Sequence, residues 1–173
     1  MNRSACLSGL AGILLLACSP ALDWRELRPA GSGITLLFPC KPSSHARQIK
    51  LGTDSVRLEL HACKAAGVTW ALAFADMGDP ARVGPALVEL RTAAANNLAA
   101  SAATSLPLKV AGATPNPASQ RLQFQGRMPD GRAVVEQVAV FAKGTWVFQA
   151  IAVGDTLDAE AADSFFGSLR LAP

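Results

Sequence analysis

The chain predicts an α+β fold: an antiparallel β-sheet flanked by a long central helix and a short C-terminal helix. Three observations carry this. Several segments alternate apolar and polar residues at period two between glycine- or proline-containing turns. The span from Pro80 to Ala102 instead carries an apolar stripe, Val83, Leu87, Leu90, Ala94 and Leu98, spaced by three or four residues. Near the C-terminus Asp158 and Glu160 open a second, shorter helical segment that Gly167 ends.

The first strand is Ile34 to Phe38, stopped by Pro39-Cys40-Lys41-Pro42, where two prolines deny the ladder its donors. His45 to Leu51 and Asp54 to Ala62 form a hairpin about Gly52-Thr53. That turn sets Ile49 opposite Val56, Gln48 opposite Arg57 and His45 opposite Leu60, with Val56, Leu58, Leu60 and Ala62 inward and Arg57, Glu59 and His61 outward. In Val68 to Ala75, Val68, Trp70, Leu72 and Phe74 share one face while Ala71, Ala73 and Ala75 share the other, a surface small enough for a helix to approach closely. Asp79 is the candidate N-cap of the long helix and Pro80 its first residue, although Gly84-Pro85 moves the expected start towards Ala86.

After the helix, Pro107, Pro115 and Pro117 leave room for a strand fragment around Leu108 to Val110 followed by a loop. Ser119 to Gly126, Arg132 to Ala142 and Thr145 to Val153 then read as an antiparallel meander, joined by Pro129-Asp130-Gly131 and Lys143-Gly144. Leu157 to Phe166 is the short helix, with Thr156 as the expected cap, and Ser168 to Leu171 returns as a final strand.

The N-terminus reads as an address. One basic residue, Arg3, precedes an apolar run from Leu10 to Ala17, which is far shorter than the roughly 20 residues a membrane span needs. Leu15-Leu16-Ala17-Cys18 resembles the bacterial lipobox, in which the cysteine is acylated and becomes the first residue of a mature lipoprotein. The resemblance implies a signal peptide over 1–17, an acylated Cys18 with a tether over 18–32, and one globular domain over 33–173. Ser19 after the cysteine fits, by the same resemblance, sorting to the outer membrane of a two-membrane bacterium. Multiple acyl chains of the palmitate type would anchor the protein stably where one chain alone would not.

Without the signal the chain suits one domain and is close to neutral, with its basic residues scattered among acidic ones, which argues against nucleic-acid binding. Of the four cysteines, Cys6 leaves with the signal and Cys18 is acylated, so Cys40 and Cys63 remain. In an oxidising compartment the pair is most simply a disulfide. The competing reading is a zinc site of Cys40, His45, His61 and Cys63, tetrahedral by residue type. Strand alternation sets His45 on the face opposite His61 and Cys63, so that site would require a bulge.

Catalytic patterns are lacking in the sequence. There is no Gly-x-Ser-x-Gly elbow, phosphate-cradling glycine loop or aspartate-rich calcium loop, and the two histidines sit in one hairpin without a nucleophile nearby in sequence. Asp76 with Asp79, and Asp158 with Glu160 and Asp163, read as turn and cap carboxylates rather than as acid and base. Trp70 and Trp146 read as core residues of strands, and Trp24 sits in the tether without an evident partner.

Phe38-Pro39-Cys40-Lys41-Pro42, the Gly131-Arg132 turn, Gly144-x-Trp146 and Ser164-Phe165-Phe166-Gly167-Ser168-Leu169-Arg170 together resemble the Mog1/PsbP-like α/β/α sandwich, and more closely bacterial lipoproteins of that type. The resemblance covers about residues 33 to 171. It implies the fold and a binding or accessory role, and it carries neither catalytic residues nor a cofactor. The expected protein is therefore a non-enzymatic lipoprotein on the periplasmic face of the outer membrane that binds a protein partner of the envelope. The alternatives are a carrier or sensor of a small apolar ligand and, third, a metal-binding protein.

Overall fold

A computed structural model describes residues 21–100 and 102–173. The signal segment and Cys18 lie outside the described residues. Strands β1 (Arg25–Leu27), β2 (Ile34–Phe38), β3 (Ser43–Leu51), β4 (Asp54–Ala65) and β5 (Val68–Asp76) precede helix α1 (Pro80–Asn97). Strands β6 (Ala103–Leu106), β7 (Gln120–Arg127), β8 (Ala133–Lys143) and β9 (Trp146–Gly154), helix α2 (Ala159–Gly167) and strand β10 (Arg170–Leu171) follow. Seven strands form an antiparallel sheet in the order β3-β4-β5-β9-β8-β7-β6, and β1, β2 and β10 form a second, three-stranded sheet.

The large sheet buries both faces. On one, α1 lays Val83, Ala86, Leu87, Leu90 and Ala94 against Ala75, Val138, Val140 and Val147. On the other, the small sheet and α2 close over Trp70, Leu72, Phe74, Phe141 and Phe148. The alternation read along Val68 to Ala75 is thus realised: large residues meet the second layer, and Ala75 meets α1. The hairpin pairs Ile49 with Val56, Gln48 with Arg57 and His45 with Leu60, the register its turn predicts.

Several elements differ from expectation, each for a physical reason. Helix α1 begins at Pro80 rather than near Ala86, because Asp79 Oδ1 accepts from the Ala81 N–H at 2.8 Å and the Val83 side chain is buried. Those gains exceed the one backbone bond that Pro85 removes. The helix stops at Asn97 instead of Ala102, where Ala99 turns to positive φ and the Leu98 carbonyl accepts from Arg127 N–H at 2.8 Å.

The strand expected at Leu108 to Val110 lies earlier, at Ala103–Leu106, because Pro107 ends the ladder that Ser105 and Leu106 make with Leu122 and Arg121. Helix α2 begins at Ala159, capped by Asp158 rather than Thr156: Asp158 Oδ1 accepts from Ala161 N–H at 2.8 Å. Within 18–32, Arg25–Leu27 is a strand on β2, and Trp24 meets Trp70 edge-on at 6.3 Å. His61, expected outward, is buried and stacks on Phe74, because the second layer covers that face of β4.

Candidate functional site

The segment 107–119 between β6 and β7 contains neither helix nor strand, yet it is held at several points. Thr114 N–H donates to the Ala142 carbonyl at 2.8 Å and Gly144 N–H to Thr114 Oγ1 at 2.9 Å. Leu171 N–H donates to the Ala111 carbonyl at 2.8 Å, tying the segment to the C-terminal strand. Asn116 closes a turn of its own, its Oδ1 accepting from Ala118 N–H at 2.9 Å. Long connections without secondary structure are uncommon in compact domains and tend to be functional when they are ordered.

Under this segment Leu108, Val110 and Ala113 pack towards the aromatic core, and beside them lies an open groove of about 510 Å³ that also reaches Phe141, Pro115 and Pro117. Six of its nine lining residues are apolar and Thr114, Asn116 and Ser119 bring polar groups, so that polar and apolar surface face the groove about equally. A groove of this size and lining suits a small organic ligand.

A second cleft, about 300 Å³, shares Leu108 with the first and is bounded by Pro107, Lys109, Arg121, Asp163 and Phe166. Arg121 is only 9% exposed. Its Nη2 donates to Gln137 Oε1 at 2.6 Å and to Asp163 Oδ1 at 3.1 Å, and the guanidinium lies 4.3 Å from the Phe166 ring centre. Gln137 in turn donates to Gln123 Oε1 at 2.9 Å, which fixes its amide for the arginine. Arg121 Nε is buried without a hydrogen-bond acceptor among the described residues.

Of the residues singled out in the sequence, Cys40 and Cys63 are joined as a disulfide with Cα atoms 6.0 Å apart, linking the end of β2 to β4. His45 is exposed on the edge strand β3, and His61 lies on the opposite face of the hairpin with Glu59 Oε1 at 2.9 Å from its Nε2. With both sulfurs in one bond the four zinc candidates do not converge, and among the described residues no three His, Cys, Asp or Glu side chains are grouped to hold a metal ion. Asp76 Oδ1 accepts from Gly78 N–H, Asp79 and Asp158 cap helices, and Asp163 pairs with Arg121.

Two buried charged residues escaped the sequence reading. Arg121 and Gln123 form a period-two polar stripe opposite Leu122 and Phe124, and that stripe was the available signal. Glu136 sits between Val134 and Val138 on the α1 face, and burial raises its carboxyl to about 7. Comparison with known proteins finds no family model that matches the chain and no curated protein that matches its sequence.

Proposed function

We propose that this chain is a lipid-anchored envelope protein, tethered through an acylated Cys18, whose domain binds a small apolar ligand without transforming it. The observation that carries the binding reading is the groove beside segment 107–119, an ordered connection that leaves an open space of about 510 Å³, lined by Leu108, Val110 and Phe141 together with polar groups. The Cys40–Cys63 bond supports an oxidising compartment, since disulfides persist there. The lipobox-like Leu15-Leu16-Ala17-Cys18 supports the anchor, and Ser19 the outer membrane. Two helices on opposite faces of an antiparallel sheet support kinship with Mog1/PsbP-like lipoproteins.

The protein-partner reading keeps one observation of its own. Strand β3 ends the large sheet, and most of Ser43–Leu51 is exposed, leaving one edge of its backbone able to pair with a partner's strand.

Two measurements on the full chain test the proposal. Cys18→Ala should move the protein from the membrane fraction to the soluble envelope fraction; an unchanged distribution contradicts the anchor. Native mass spectrometry of gently extracted protein should show a small apolar adduct that is lost on denaturation. A bare protein that also takes up no apolar ligand offered in solution contradicts the carrier reading.

A further inference from the structure

Building on the ligand-binding reading above, we infer that the cleft at Arg121 receives the anionic head of an amphipathic ligand, a carboxylate or phosphate carrying an apolar chain. Removing a guanidinium from water is costly unless it is paired and fully hydrogen-bonded. Arg121 is incompletely paired among the described residues: Nη2 carries its two hydrogen bonds, Nε is buried without an acceptor, and Nη1, which donates to no described residue, is the donor left for a head group. Its one carboxylate partner, Asp163, has a side chain 76% exposed and so neutralises it weakly. Lys109, exposed on the wall of the same cleft, adds a second positive charge.

The fork is held in place rather than free. Phe166 supports its face, and Gln137, itself buried and fixed by Gln123, orients one end. Such a preset arginine suits an oxyanion, with which it makes short, charge-assisted bonds. Pro107, Leu108 and Phe166 give the rest of the cleft apolar walls, and Leu108 is shared with the larger groove. An apolar chain leaving the head would lie against Leu108, the residue at which the two clefts adjoin.

Titration calorimetry of the full chain with monomeric dodecanoate, dodecyl phosphate and dodecan-1-ol tests this. The acid or the phosphate should bind at least about tenfold more tightly than the alcohol, the scale expected of a charge-assisted contact. Whichever anion binds more tightly identifies the head. Lys109→Ala, at an exposed position, should weaken the anion and leave the alcohol unchanged, while Asp163→Asn should tighten the anion alone. Arg121→Lys should lose most of the preference even in a folded protein. Equal binding of anion and alcohol, or no response to Lys109→Ala and Asp163→Asn, overturns the head site while the apolar groove stands. Binding of none of the three overturns the ligand reading itself.

Discussion

Position 136 places a carboxyl group on the face that α1 covers, opposite Phe124 on β7 and Val153 on β9. Glu136 is 6% exposed and its Oε1 has no hydrogen-bond partner among the described residues, so burial alone raises it to about 7. In the unfolded chain it ionises near the usual 4.5. Between those values the folded state holds a proton that the unfolded state has lost, so stability falls as pH rises through this window and then levels off. The loss is about 3 kcal/mol at pH 8, on the order of the shift multiplied by 1.36 kcal/mol per pH unit. Glu136→Gln should flatten this slope and stabilise the protein at pH 8 more than at pH 4, as read by urea unfolding at both values. Equal effects at the two values would contradict the assignment. Gly126 is constrained differently: a Cβ there would run into the Leu98 carbonyl oxygen and side chain where β7 receives the end of α1. Gly126→Ala should therefore cost about 1–3 kcal/mol in the same assay.

Among the elements, α1 depends on its first turn. Asp79 caps it, and Arg82 reaches back to Asp54 at 3.3 Å across the hairpin. Asp79→Ala should destabilise the protein by about 1 kcal/mol, measured as a lowered denaturation midpoint at unchanged slope. The disulfide joins elements that share no ladder, closing a loop with a sequence separation of 23. Replacing both Cys40 and Cys63 by Ser should lower stability by roughly 3 kcal/mol in the chain-entropy account. The hairpin register was legible because Gly52-Thr53 fixes the turn and period two then fixes every opposite pair. Strand β6 was not, because Ala103-Thr104-Ser105-Leu106 is short and mostly exposed and becomes a strand only by pairing with β7. Leu108 and Val110 looked more strand-like, yet they serve as apolar anchors of an irregular segment. Trp24 likewise needs Trp70 and β2 to explain it, contacts far apart in sequence.

For the whole molecule, the two faces of one sheet do different things. The α1 face is a packed core that also hides Glu136, whereas the other face carries the disulfide, the Arg121 network and the grooves beside segment 107–119. The layered α+β arrangement was visible in alternating strands and one helical stripe. The site was not, because the grooves arise where Pro107 to Ser119 crosses strands and a helix distant in sequence, and Arg121 acquires its meaning from Asp163, Gln137 and Phe166. The anchor and the closed disulfide together define the proposed setting, an exported domain held at a membrane in an oxidising compartment. The most direct measurement is the intact mass of the membrane-extracted protein, before and after reduction, with thiol alkylation at each stage. The account predicts a chain that begins at an acylated Cys18, with Cys40 and Cys63 alkylated only after reduction. An unprocessed N-terminus, or two thiols alkylated without reductant, would contradict it.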